Sequence, residues 1–246
     1  MASENIQVDN PYGLQALWLQ GDFIAKGVLI LLVLMSAYSW FIIFTKWWEQ
    51  RRLLSQAKEV EKSFWTAENL RAGLGKLSGK GNIFRSIASE AIDASEHHGV
   101  SERMAEGVPL HEWIDNVIAR AVNRIGNALN TQLPFLATTG STAPFIGLFG
   151  TVWGIYHALV AIGVAGQASI DKVAGPVGEA LIMTAIGLAV AVPAVLGYNY
   201  LLGRNKQIIE RVKLFASDLE QVIVSGSRVS PSQAAKVIGA ATAGKK

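Results

Sequence analysis

The most unusual chemical group in the sequence is the carboxylate of Glu179, which precedes a run with no further charge before Arg204. Moving a carboxylate into hydrocarbon costs about 2.5–3.5 kcal/mol on insertion scales, so a side chain that only packed would be better apolar. We therefore expect Glu179 either to handle protons or to be an interfacial carboxylate held by Lys172 or by a neighbouring subunit.

Two threonines lie within stripes of small residues that recur at alternating steps of four and three. Such a seam either lets a neighbouring backbone approach closely or leaves space for a lumen. Because a hydroxyl donates and accepts hydrogen bonds without carrying charge, two such stripes favour a shared polar path lined by Thr151 and Thr184, with Glu179 beside it. The stripes are Gly140, Pro144, Gly147, Thr151, Gly154, Ala158 and Ala161, and Ala180, Thr184, Gly187, Ala191 and Ala194.

Other residues that could do chemistry have simpler interpretations. The glycine-rich segment 72–82 lacks the spacing of a phosphate-binding loop and is interpreted as a loop between helices. His97, His98 and His111 are not spaced as a metal pair and are expected to be solvated. His157 lies off its stripe and is interpreted as a buried, neutral packing histidine, with a proton carrier as the alternative. We expect no enzyme activity, cofactor or metal.

The elements that position these residues belong to a membrane protein. Of the 246 residues, 50% are hydrophobic and 17% are charged, a composition typical of membrane proteins. A spanning helix needs about 20 mostly apolar residues, which predicts spans at 27–45, 132–163 and 176–203. The net charge is only +3, and the basic residues lie at the ends of apolar runs and not in one patch. This distribution argues against a nucleic-acid partner. Cysteine is absent, so disulfides and thiolate sites are excluded.

Basic residues follow the first and third predicted spans, while the connection between the second and third holds only Lys172. Because Lys and Arg near span ends stay in the cytoplasm, we expect the N-terminus outside and the C-terminus inside. Basic groups beside the membrane also attract anionic phospholipid. The candidates for lipid binding are Lys46, Arg51, Arg52, Arg204, Lys206 and Arg211.

We predict an all-α protein with three transmembrane helices and long cytoplasmic helical extensions. At least three helices are expected between the first two spans, the third continuing directly into the second span. After the third span an apolar seam at steps of four and three, Ile208, Val212, Phe215, Leu219 and Val222, requires another helix against it. The predicted segments are a periplasmic amphipathic segment 1–26, span 27–45, cytoplasmic helices 46–131, span 132–163, periplasmic loop 164–175, span 176–203, cytoplasmic helix 204–226 and mobile tail 227–246.

Two stretches resemble a known family. "GSTAPFIGLFGTVWGIYHAL", 140–159, and "EALIMTAIGLAVAVPAVLGYN", 179–199, are similar to the ExbB/TolQ/MotA family of inner-membrane motor subunits. The resemblance implies a ring, a pentamer of three-span subunits, around the single-span helices of an ExbD- or TolR-like partner whose aspartate carries the proton. Thr151 and Thr184 then match the family's pore threonines, and Glu179 matches its intramembrane glutamate.

The same resemblance implies a function. Proton flow would move the inner helices relative to the ring and pass work to TonB, energising import across the outer membrane. The first quoted stretch and the long N-terminal segment favour the ExbB branch, whereas His157 and "VGEALIMTAIGL" also occur in the TolQ branch of the Tol-Pal system. A scaffold that moves no ions and a membrane hydrolase remain alternatives. The flagellar branch, with four spans, fits less well than the three predicted here.

Overall fold

The computed structural model describes residues 18, 22–77, 79, 81–100, 109–165 and 170–227. Within these ranges the side chains of 98–100, 161, 165, 170–174 and 179 are excluded from description. Most of the predicted amphipathic segment 1–26 and the predicted tail beyond Ser227 lie outside the described residues.

The described chain is helical, and no strand occurs in its described ranges. Among the described residues, six α-helices follow one another: α1 (Phe23–Glu59), α2 (Leu70–Lys76), α3 (Ile83–Val100), α4 (Leu110–Asn130), α5 (Leu133–Ala165) and α6 (Ile170–Ser225). A five-residue π-helix, Val60–Phe64, continues α1 directly.

Three helical stretches of the described chain are long and apolar enough to cross a membrane. They lie within Phe23–Phe64, Leu110–Val164 and Gly175–Ser225, and each contains one predicted span. The prediction of an all-α membrane protein with three spanning helices is therefore confirmed. Within these stretches, α5 has 33 residues and not one Asp, Glu, Lys or Arg.

The helices pack into two compact units. The first unit comprises residues 1–46 and 132–202, and thus holds the apolar parts of α1, α5 and α6. Its buried core includes Val28, Leu32, Ala143, Met183, Val190 and Ala191. A close approach between α1 and α6 occurs at Gly197, where an added Cβ would lie 2.5 Å from Cδ1 of Ile43.

The second unit comprises residues 47–131 and 203–246. The predicted seam on α6 is confirmed, because four of its members are fully or almost fully buried there, Ile208, Val212, Phe215 and Leu219. Phe215 anchors an aromatic cluster, with ring centroids 5.3 Å from both Phe64 and Phe84 and 5.6 Å from Trp65. The seam thus packs against the π-helix and α3 within one apolar core.

Three local expectations were wrong. The predicted loop 72–82 begins with a helix, because α2 continues to Lys76 after Asn69 caps its first turn through the Ala72 N–H, 2.7 Å from Oδ1. Helix α4 does not run into the second span but ends at Asn130, and Gln132 has a φ of 72° before α5 begins. The predicted loop 164–175 is shorter, since α6 already begins at Ile170.

A buried amide network holds the end of α4 in the second unit. Asn205, 2% exposed, donates from Nδ2 to the carbonyl oxygen of Leu129 at 2.9 Å and to Oδ1 of Asn130 at 3.1 Å. Its Oδ1 accepts from Nε2 of Gln50 at 2.8 Å. Because the last carbonyls of a helix lack intrahelical partners, Asn205 supplies α4 with a side-chain donor.

Replacing Asn205 by leucine is expected to destabilise the second unit by about 2 kcal/mol, because the buried Leu129 carbonyl and the buried Gln50 amide would each lose a hydrogen bond. The measurement is the apparent thermal midpoint, followed by circular dichroism of the purified full chain. Asn123→Leu is the matched control, since Asn123 is exposed on α4. An Asn205→Leu midpoint equal to that of the control would contradict this role for the network.

Candidate functional site

The predicted threonines are brought together in the first unit, at the contact between α5 and α6. The Thr151 hydroxyl lies 2.9 Å from the carbonyl oxygen of Ala180 and 3.2 Å from that of Gly147, and it also forms a hydrogen bond with the Thr184 hydroxyl. Thr151 is 8% exposed, and Thr184 is half-buried. The two hydroxyls therefore form one polar centre at the contact between α5 and α6, which we call the threonine centre.

Glycines one turn from the threonines bring the two backbones into contact. A Cβ added at Gly147 would lie 2.7 Å from the Met183 carbonyl oxygen and 3.1 Å from Cα of Gly187. A Cβ at Gly187 would lie 2.7 Å from the Ala143 carbonyl oxygen. Only glycine fits at either place without moving a backbone, so these two residues set the spacing at which the hydroxyls meet.

The remaining members of the two stripes lie mainly at the same contact or in its vicinity. Gly154 faces Ala180, with an added Cβ 3.1 Å from the alanine Cβ, and Gly140 faces Val195. Ala158, Ala180, Ala191 and Ala194 are buried, whereas Pro144 lies half-buried inside α5. Within one chain the stripes thus serve close packing, one of the two alternatives left open above. Whether they also border a lumen stays a prediction.

Glu179 stands on α6 next to Ala180, whose carbonyl oxygen is a contact of Thr151. Its side chain lies outside the described part of the structure, as does that of Lys172. Glu179 is therefore the sequence neighbour of a residue whose carbonyl contacts Thr151, and its predicted role stays a prediction.

The interpretation of His157 as a buried packing residue was wrong. Its side chain is 47% exposed, and Nε2 lies 3.7 Å from Oδ2 of Asp22. The same carboxylate oxygen accepts a hydrogen bond from Nε1 of Trp153 at 2.5 Å. Asp22 and Trp153 were not identified from the sequence. The one available signal was an acidic residue directly before an apolar run, which is typical of a helix N-cap.

The six basic residues predicted to bind lipid differ in exposure. Arg51, Arg52, Lys206 and Arg211 are exposed, and Arg204 is half-buried. The Arg51 guanidinium lies 3.7 Å above the Trp47 ring, a cation–π arrangement. Lys46 is only 8% exposed, so of the six it presents the least surface to a headgroup.

The other histidines agree with the expectation of solvated side chains where they are described. His97 and His111 are exposed, whereas the His98 side chain is outside the described part. No group of three or more His, Asp or Glu that could hold a metal ion occurs among the described residues.

Comparisons with known proteins give consistent results. Residues 81–213 match the family model described as the MotA/TolQ/ExbB proton channel family. The chain is 44% identical to a biopolymer transport protein ExbB of Xanthomonas campestris pv. campestris over 216 residues, 85% of each chain. It is 37% identical to ExbB of Neisseria gonorrhoeae, over 81% of this chain and 91% of that protein. It is also 35% identical to the Tol-Pal system protein TolQ of Pseudomonas aeruginosa, over 82% of this chain and 88% of that protein.

Proposed function

Since the chain belongs to the MotA/TolQ/ExbB proton channel family, we propose that it is the ExbB-like subunit of a proton-driven motor that energises TonB-dependent import across the outer membrane. The observation that carries this proposal is the 44% identity to an ExbB protein across 85% of both chains. The hydrogen-bonded hydroxyls of Thr151 and Thr184 supply a polar feature that suits a proton path.

The proposed mechanism uses the threonine centre as an uncharged polar station. A hydroxyl can donate to a carboxylate or accept from a carboxylic acid without itself changing charge. An inner helix carrying a carboxylate would therefore find a partner beside Thr151 and Thr184 in both of its protonation states. Loss or gain of the proton changes the charge of that carboxylate in a low-dielectric setting and so changes its preferred neighbour. Glu179 would flank this route from α6.

We further propose that the chain forms a ring, a pentamer, around an ExbD-like single-span protein and works with TonB. A supporting observation is the exposed apolar face of α5, which in a ring would be covered by neighbouring subunits, by the inner helix or by lipid. Its members are Phe145, Leu148, Phe149, Val152, Tyr156 and Leu159. Symmetry would give the inner helix several equivalent positions around the ring.

The proposed location is the bacterial inner membrane, with the N-terminus in the periplasm and the C-terminus in the cytoplasm. The exposed basic residues Arg51, Arg52 and Lys206 support it, because they lie just beyond predicted spans and such residues stay on the cytoplasmic side. The same groups would bind anionic phospholipid.

The second candidate function is that of a TolQ-like subunit of the Tol-Pal system, which the 35% identity to a TolQ protein favours. The two functions are separated by deleting the chromosomal gene, restoring this chain and measuring two readouts in one strain. The proposal is supported if uptake through a TonB-dependent receptor is lost on deletion, returns with this chain and is abolished by a proton uncoupler. Restored envelope integrity without restored uptake would instead support the TolQ-like function. Mass analysis of the purified complex should find several copies of this chain with a single-span partner.

A further inference from the structure

The contact of Asp22 with α5 forms a titratable cluster that is separate from the threonine centre. Asp22 precedes α1, and its Oδ1 accepts a hydrogen bond from the Ala25 backbone N–H at 2.8 Å. A carboxylate at this N-cap position is stabilised by the free N–H groups and the dipole of the helix. One oxygen is thereby committed to α1, while Oδ2 faces Trp153 and His157 of α5.

Both ring nitrogens of His157 face oxygen acceptors. Nδ1 lies 3.2 Å from the carbonyl oxygen of Trp153, and Nε2 lies 3.7 Å from Oδ2 of Asp22. A neutral imidazole carries only one N–H, so it presents a lone pair to one of these oxygens. The imidazolium carries two N–H groups and faces both acceptors with hydrogen. The imidazole ring can therefore take up one additional proton and direct an N–H group at each of the two oxygens.

Two aromatic rings lie beside the His157 imidazole. The Trp153 ring centroid is 4.7 Å from that of His157, and the Tyr156 ring meets His157 edge to face at 5.4 Å. With His157 47% and Asp22 38% exposed, water has access to the pair, so a proton can arrive from solution.

Few charged residues accompany Asp22 and His157 on the helices of the first unit. On α1 the next charged residue is Lys26, one turn after Asp22, and α5 has no Asp, Glu, Lys or Arg. On α6 the charged residues of the first turns are Asp171, Lys172 and Glu179, with side chains outside the described part. Burial by itself raises the pKa of Asp22, but hydrogen bonds from Ala25 and Trp153 and the charge of His157 together lower it. Asp22 thus remains an anion when His157 accepts its proton.

We propose that Asp22 and His157 form a proton-binding site that joins the beginning of α1 to α5, and that protonation of His157 tightens this joint. In the neutral state the joint consists of the Trp153 hydrogen bond, and in the protonated state an ion pair is added. The titration itself is independent of the proposed function. Only the assignment of the site to the periplasmic side, where protons enter, rests on that function.

The titration is measured by nitrogen-15 NMR on the full chain labelled at histidine and held in its complex in lipid nanodiscs. The chain has four histidines, and the His157 signals are those lost in His157→Asn. We expect both His157 nitrogens to be protonated on acidification. In Asp22→Asn the pH dependence of the His157 signals should change, because the negative charge beside the imidazole is removed. Asparagine still caps a helix well, so this variant keeps α1 intact.

Asp115→Asn is the matched control, because Asp115 is an exposed acid in the other unit, and it should leave the His157 midpoint unchanged. A His157 midpoint that is equal in the wild-type chain and Asp22→Asn would overturn the proposal. A second measurement compares energised uptake by wild type and His157→Asn as external pH is varied. We expect the pH profile to flatten in the variant, and an identical profile would overturn the assignment to the periplasmic entry side. Absence of uptake in the wild-type chain would instead count against the proposed function and would leave the titration result standing.

Discussion

In the proposed motor, replacing Thr151 or Thr184 by valine is expected to abolish proton-driven transport while the complex still assembles. Valine keeps the shape of threonine and removes the hydroxyl, so the packing of α5 against α6 is retained. The lost hydrogen bonds to the Ala180 carbonyl and between the hydroxyls cost only about 1 kcal/mol of stability in a membrane interior. The loss of a polar station for the proton, by contrast, should reduce uptake to the level of a strain that lacks the gene.

Thr142→Val is the matched control for these variants. Thr142 lies on the same helix, but its hydroxyl bonds to the carbonyl oxygen of Thr138 at 2.7 Å within α5. We expect normal uptake in this control, with assembly of all three variants verified by size-exclusion chromatography of the purified complex. If Thr151→Val and Thr184→Val assemble and also support normal uptake, the chain acts as a scaffold rather than as part of a proton path.

The second large effect is expected at the glycine contact between α5 and α6. Gly147→Val and Gly187→Val each place a branched side chain where even a Cβ would lie 2.7 Å from a backbone carbonyl oxygen. Overpacking of this kind costs about 1–3 kcal/mol or more, and the helices can relieve it only by moving apart. We expect low yield of folded complex, a lower thermal midpoint, and loss of transport through separation of the hydroxyls.

Gly163→Val provides the comparison on the same helix. A Cβ at Gly163 meets nothing within 4 Å, so this substitution changes helix propensity without creating a clash. Its yield and thermal midpoint should stay close to those of the wild-type chain. Equal midpoints for Gly147→Val and Gly163→Val would show that α5 and α6 do not require the close approach.

Several features of the fold follow from local sequence patterns. Long apolar runs predict spanning helices, because hydrocarbon admits only segments whose backbone groups are satisfied internally. The seam Ile208, Val212, Phe215 and Leu219 predicts burial because its spacing keeps one face of α6 directed at a partner. These inferences use periodicity and length, which a single sequence contains in full.

Other features depend on which residues of one helix pack against which residues of another, and the periodicity of a single helix does not reveal this. The small stripes indicate a narrow face on α5, but only the packed helices reveal that Gly147 meets Gly187 and that Thr151 meets Thr184. The contact of His157 with Asp22 was missed for the same reason, because Asp22 is distant in sequence and lies at the start of another helix.

The end of α4 was missed because its signal is weak. Helix boundaries are usually recognised by glycine or proline, whereas here Gln132 adopts a positive φ that non-glycine residues seldom adopt. The Asn205 contact with the Leu129 carbonyl joins positions 76 residues apart. Such a contact leaves no mark in the local pattern of either segment.

The uncharged length of α5 has a mechanical consequence. Its 33 residues extend about 50 Å at 1.5 Å per residue, well beyond the roughly 30 Å of hydrocarbon in a bilayer. A rod of this kind can change its inclination, or slide along the membrane normal by a turn, without drawing an Asp, Glu, Lys or Arg side chain of its own into the lipid. While His157 is neutral the electrostatic resistance to such movement is therefore low, and steric contact with neighbouring helices limits how far the rod travels.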